Sequence, residues 1–249
     1  SWAELQRELD DKERLVAHNE QEQRRRAALT KRVCVDDEPD AAKTHAYFDV
    51  EIGRRLGAKP RLTRGRLIVQ LFDDIMPRTI HRFAEVLEAD GADATYRSSA
   101  VGAIYKGDYC VAGVLNVRHT SEEGSSSGAH PRRAREAAYP QASSEANWEL
   151  PHLNPGILSL VDPRTQRFQI TFRGMDELDG KHAVFGKLIY GFDLLKLISE
   201  LGSATGEPQQ PVKFIGGAMI PRGTHPREFL KKLDKPDDST ERVKVMRFD

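Results

Sequence analysis

Eight histidines are the first candidates for chemistry: His18, His45, His81, His119, His130, His152, His182 and His225. No two stand three or four residues apart and no His-Glu-x-x-His run occurs, so the spacing supplies no zinc ligand set. No metal and no other cofactor is expected. His182 follows a hairpin turn, a place where an imidazole serves as a structural hydrogen-bonder. Pro131-Arg132-Arg133-Ala134-Arg135 is a small basic cluster of the kind a solvated loop carries. Glycine-rich phosphate loops, nucleophile elbows and RNA-stacking aromatic motifs are absent from the sequence. Whatever the chain does rests on side chains that strands and turns must place.

Those elements are concentrated between residues 155 and 221. Pro155-Gly156-Ile157-Leu158-Ser159-Leu160 and Arg167-Phe168-Gln169-Ile170-Thr171-Phe172 read as short strands. Leu178-Asp179-Gly180-Lys181-His182-Ala183-Val184-Phe185-Gly186-Lys187 reads as a glycine turn feeding a strand. An amphipathic helix follows near Phe192 to Gly202, and then a last strand at Val212-Lys213-Phe214-Ile215. Upstream, residues 46–53 and 65–72 alternate as strands should. Pro77 opens a helix that carries Phe83 and Val86 inward, since proline's missing N–H costs nothing in a first turn. Residues 96–113 should hold two central strands. A long Gly/Ser/Arg-rich connection, residues 115–154, joins the two halves.

Residues 1–32 read as one helix, N-capped by Ser1, with Glu4 placed as in a capping box. Trp2, Leu5, Leu9 and Val16 share a narrow stripe that Lys12 and Asn19 interrupt, and the later turns are too polar to bury. Such a helix either packs loosely on its own domain or gains its order from a partner's groove, and on the second reading Trp2, Leu5 and Leu9 are the candidate partner-binding residues. The chain divides into an arm and acidic linker (1–43), a β-rich domain (44–221) and a charged tail (222–249). The tail ends in an edge-capable segment, residues 243–248.

Lys+Arg and Asp+Glu both total 38, so no global charge draws the chain to nucleic acid or to an anionic membrane. No apolar run approaches the roughly 18 residues a membrane span needs. The two cysteines, Cys34 and Cys110, are too few for a disulfide framework and suit a reducing intracellular compartment. Cytoplasm, a cytoskeletal or ciliary assembly and the mitochondrion all fit. The opening Ser1 suggests a processed or truncated product.

The motifs resemble the cyclophilin family of peptidyl-prolyl isomerases. That family carries a PGILSM strand, a SQFFI strand, an LDGKHVVFGKV hairpin and a G-x-D-V-V helix, in this order. Its G-R-I-V-x-E-L-F strand and P-K-T-x-x-N-F helix match Gly65 to Phe72 and the helix from Pro77. Asn147-Trp148 and His152 match its N-F and H. The resemblance implies a mainly β fold: a closed eight-stranded antiparallel barrel capped by two helices, with the N-terminal arm added. It also implies catalysis by transition-state electrostatics against an amide barrier of about 18–20 kcal/mol. An arginine bonds the prolyl carbonyl, an apolar pocket grips the ring, and Gln, Asn, Trp and His fix the backbone.

Aligned from Tyr96 without a gap, the family's Phe-His-Arg falls on Val101, Gly102 and Ala103. The catalytic arginine is thus replaced by Ala103. The pocket phenylalanine becomes Asp108, its methionine neighbour Tyr109, and the backbone-anchoring glutamine Val111. The Ala-Asn pair becomes Val161 and Asp162, the second pocket aromatic Gln169, and the tryptophan Glu177. Leu178 and His182 stay as the family has them. Asp108 and Glu177, in an apolar slot, must pair, protonate or face water. The expectation is an inactive cyclophilin-like scaffold within a multi-subunit protein complex, binding no cyclic-peptide drug. The rival is an active isomerase with an altered site.

Overall fold

A computed structural model describes residues 2–34, 39–53, 63–89, 95–97, 99–113, 148–161 and 166–233. The eight strands are β1 (Thr44–Ile52), β2 (Thr63–Leu71), β3 (Ala103–Tyr105), β4 (Tyr109–Ala112), β5 (Ile157–Leu160), β6 (Phe168–Thr171), β7 (Val184–Tyr190) and β8 (Val212–Ile220). All pair antiparallel in the order β3-β4-β6-β5-β7-β2-β1-β8. The sheet curls into an open half-barrel rather than the expected closed one. Its end strands β3 and β8 are not paired to each other. The segment before β3 meets β8 through a single bridge, Ala100 to Lys213.

Alternation puts Phe48, Phe168 and Phe214 on the inner face, where Phe48 lies 4.7 Å from Phe214 and 5.8 Å from Phe168. Helix α2 (Pro77–Glu88) lays Ile80, Phe83, Val86 and Leu87 onto that core, as its periodicity predicts. Helix α3 (Phe192–Glu200) covers it with Leu194, Leu195 and Ile198. Across β1 and β2, Asp49 faces Arg66 and Glu51 faces Arg64, each pair bridged by a hydrogen bond. No described helix is long and apolar enough to cross a membrane.

The arm forms as expected, as helix α1 (Trp2–Val33), but its attachment differs from the sequence reading. Its last turn is not too polar to bury. Val33 is fully buried among Phe72, Leu150, Ile157 and Val184, with Leu29 packed alongside. Arg32 spreads its guanidinium over the Phe72 ring and pairs with Asp74. Arg25 pairs with Glu149. Lys187, buried on β7, donates its ammonium to the Cys34 carbonyl, a cation placed against the negative end of the helix. Trp2 stays 84% exposed, so the N-terminal end is not what anchors the arm.

The tail also begins with unexpected order. Helix α4 (Pro226–Leu233) packs Phe229 5.5 Å from Tyr47, and Phe229 and Leu230 cover Ile68, Ile189 and Ile220. In sequence the tail mixes charge with Phe229, Leu230 and Leu233. Their spacing (229, 230, 233) is one helical stripe. The segment 243–248 lies outside the described residues.

Deleting residues 1–18 should leave thermal stability within about 1 kcal/mol. Deleting residues 1–34 strips Val33 from the Phe72–Val184 surface and takes the Cys34 carbonyl from the Lys187 ammonium, at a cost on the order of 3 kcal/mol or more. Equal melting of the two truncations would contradict the docking.

His45, on β1, supplies a pH test. It is buried and its Nε2 has no partner among the described residues. Burial holds its pKa down to about 4 against Asp40 and the Lys43 carbonyl, while His225 and Lys187 press the same way as burial. The folded pKa lies below the unfolded 6.5. Stability is therefore full above pH 6.5 and falls as pH drops toward 4, because only the unfolded chain takes the proton there. Urea unfolding at pH 7.5 and 4.5 should differ by on the order of 2–3 kcal/mol from this group. In His45→Gln that difference should shrink by the same amount; an unchanged pH slope speaks against the assignment.

Candidate functional site

The site is built by strand register. Ala103 on β3 stands opposite Val111 on β4, Val111 opposite Gln169 on β6, Gln169 opposite Ser159 on β5, and Ser159 opposite Val184 on β7. Because facing residues share a face, these five side chains form one row across the sheet. The neighbouring row, Ile104, Cys110, Ile170 and Leu158, belongs to the inner core. The row with Ala103 is therefore on the outer face.

Along it the chemistry runs from apolar to polar and from open to sealed. Ala103 is half-buried and offers a methyl group; Val111 is buried and offers none but apolar atoms. Gln169 does not reach outward. It is 2% exposed and donates its amide to Ser159 Oγ at 3.0 Å. Ser159 Oγ in turn lies 2.9 Å from His152 Nε2, and His152 Nδ1 lies 2.8 Å from Asp179 Oδ1. Asp179 accepts from the His152 backbone N–H as well, at 2.7 Å. A carboxylate can only accept here, so Nδ1 carries the proton and Nε2 is the acceptor for the Ser159 hydroxyl. Burial lowers the His152 pKa, with Asp179 opposing, so the imidazole sits neutral. The Asp–His–Ser order resembles a nucleophile relay. Ser159 and His152 are both 0% exposed, so no substrate atom reaches either.

At the rim, the β3–β4 turn places Asp108 beside a short helical turn, Asp176–Leu178. Arg173 bridges the two. Its Nε donates to Asp108 Oδ1 at 2.9 Å and its Nη2 to Glu177 Oε1 at 2.7 Å. All three side chains are about half exposed (48%, 46% and 47%), so the two carboxylates are paired and face water. Glu177 is held below the ordinary carboxylate range, first by its own backbone N–H and then by Arg173. Arg173 was not singled out from sequence. The signal was present as its i,i+4 spacing to Glu177, an exposed pair usually worth little.

The remaining positions line up around this frame. Gly102 is exposed and its N–H donates to the Val111 carbonyl at 2.8 Å. Tyr109 stacks on Tyr105 with centroids 4.9 Å apart, and burial foremost, then Tyr105 and Asp108, raise its pKa. Leu178 is buried, and His182 Nδ1 stands 3.0 Å from the Leu160 carbonyl. Val161 is half-buried; Asp162 lies outside the described residues. The structure thus brings Ala103, Val111 and Gln169 into one row and Asp108 and Glu177 onto one arginine. Trp2 stands apart on the arm; Leu5 and Leu9 are helical positions whose side chains are not described. Among the described residues no group of three or more His, Cys, Asp or Glu could hold a metal ion. Cys110 is buried with its thiol pushed up to about 12, unfit as a nucleophile.

With this geometry in view, the family follows. The model for the cyclophilin type peptidyl-prolyl cis-trans isomerase/CLD family matches residues 58–216, well over half of the chain. The chain belongs to that family. The match spans β2 to β7, helices α2 and α3, and β8 as far as residue 216.

Ser159→Ala should cost on the order of 1–3 kcal/mol, because it leaves the Gln169 amide without its acceptor and His152 Nε2 without its donor inside the protein. Arg173→Ala should cost less than about 1 kcal/mol, since its carboxylate partners are half exposed. Chemical denaturation of the two variants gives the comparison; a costlier Arg173 change would reverse this reading of which polar cluster holds the fold.

Proposed function

We propose that this cyclophilin-family chain is a non-catalytic protein-binding subunit of a multi-subunit intracellular assembly. One observation carries the reading: the row that should present an arginine, a glutamine and an aromatic ring to a prolyl peptide presents Ala103, Val111 and a buried Gln169 bonded to its row neighbour Ser159. Isomerisation needs donors placed where charge develops as the amide twists, and losing one such donor typically costs about 10²–10³ in rate. Here the arginine donor and the glutamine donor are both replaced by hydrocarbon, and the amide of Gln169 is spent on Ser159. The Asp108–Arg173–Glu177 cluster puts charge where a proline ring would need an apolar wall. Arg173 does not stand in for the missing arginine, because two carboxylates already hold it.

Binding is then the role the remaining surface supports. Helix α1 projects beyond its docked last turn with Trp2, Leu15 and Val16 exposed, and a free-standing isomerase has no use for it. The even charge balance favours a protein partner over nucleic acid.

Stopped-flow isomerisation of an Ala-Pro tetrapeptide tests the first half. The chain at stoichiometric concentration should leave exchange at its uncatalysed tens to hundreds of seconds. Ala103→Arg alone should not restore activity, because Val111 and Gln169 remain. Acceleration by the unmodified chain approaching that of an ordinary family member sinks the proposal.

A further inference from the structure

The projecting part of α1 has a face of definite chemistry, and its partner can be specified further. Resting on the binding role proposed above, we infer that positions 2–20 of α1 dock a basic amphipathic helix of another protein, one whose apolar seam is flanked by Lys or Arg.

Three observations lead there. Helical geometry, about 100° per residue, places positions 2, 5, 9 and 16 on one stripe and positions 25, 29, 32 and 33 on the opposite side. The second set is the side that meets the domain, through Arg25–Glu149, Leu29, Arg32–Asp74 and Val33. The stripe with Trp2 and Val16 therefore points away from the chain's own domain, and these two residues are 84% and 56% exposed. Folding back onto the domain is not available to it.

The second observation is the charge beside the stripe. Written as heptads with Trp2, Leu9 and Val16 at a, the flanking positions hold Glu8 and Leu15 at g and Gln6, Glu13 and Glu20 at e, so every charged one is acidic. The basic residues of this stretch that lie off the seam, Arg7 and Arg14, fall at f, the far side. The stripe is thus an apolar seam between acidic shoulders, with Lys12 and Asn19 as the polar positions that fix register.

Third, those shoulders exclude a second copy of this chain. Parallel pairing sets Glu8 against Glu13 of the other copy, and antiparallel pairing sets Glu13 against Glu13. Like charges in these positions are unfavourable in either direction, whereas Lys or Arg shoulders meet a carboxylate at Glu8, Glu13 and Glu20. Complementarity selects a heterologous, basic partner.

The test uses the full chain carrying Trp148→Phe, so that Trp2 alone reports. Two synthetic heptad-repeat peptides share a leucine seam and differ only in having Lys or Glu at every e and g position. The Lys peptide should bind, shift Trp2 emission to the blue, and exceed the Glu peptide in affinity by about tenfold. Added salt should narrow that gap. The triple change Glu8→Lys/Glu13→Lys/Glu20→Lys should reverse the preference, with its helix content checked by circular dichroism. Binding of neither peptide, equal binding of both, preference for the Glu peptide, or arm-dependent dimerisation in sedimentation each overturns the inference. If instead a chain lacking residues 1–18 still co-purifies with its native assembly, the arm's binding role fails as a whole. Dependence on the arm combined with a Glu-peptide preference removes only the charge assignment.

Discussion

Ser159 Oγ is the atom on which the site depends. It gives its proton to His152 and takes one from Gln169, while His152 is fixed in tautomer by Asp179. A buried hydroxyl with both partners present is stable, and one with either missing is costly. That constraint holds Gln169 along its own row against Ser159, and strand register then fixes what the outer face offers on either side of it. Val111 and Ala103 follow in the same row because facing residues in antiparallel strands share a face. On the reading proposed above, the Gln169 amide serves Ser159 rather than a peptide.

The same logic explains the rim. Two carboxylates introduced into an apolar slot would each cost several kcal/mol if buried alone. Asp108 and Glu177 avoid this by staying half exposed and sharing Arg173. With Arg173 the two carboxylates form a solvated ion cluster at the rim. Beneath it the fold is unaffected, because Ile104, Cys110, Ile170 and Leu158 keep the inner face apolar. Outer and inner rows lie on opposite faces of the sheet, so the polar contacts of one are set apart from the packing of the other.

Much of the fold was legible in the sequence. Period-two alternation, Pro77 at a helix start and the glycine turn before Val184 placed strands and helices near their observed bounds. Ala103, Asp108 and Val111 follow from the gapless run Tyr96 to Gly113, and the structure sets Ala103 opposite Val111 with Asp108 in the turn between their strands. The sequence did not show which way Gln169 points, because its acceptor comes from another strand and that strand's partner from a loop. Nor did it show Arg173 closing the rim, a contact 65 residues away in sequence from Asp108. The docked end of α1 was missed for a related reason. Arg25, Arg32 and Lys187 read as solvated charges until Glu149, Asp74 and the Cys34 carbonyl are placed beside them. The curl of the sheet stops at a half-barrel, which no local pattern encodes, because closure depends on how β3 and β8 meet.

Catalytic silence at Ala103, Val111 and Gln169 is the central claim, and it makes a direct statement about those three amides. Titrating an isotope-labelled sample with an Ala-Pro peptide and following their NMR resonances reads it residue by residue. The account predicts no saturable shift at any of the three up to peptide concentrations of several millimolar, a range in which binding would contribute no more than about 4 kcal/mol. Saturable shifts at Ala103, Val111 and Gln169 together, with new exchange cross-peaks between the peptide's cis and trans forms, would contradict it.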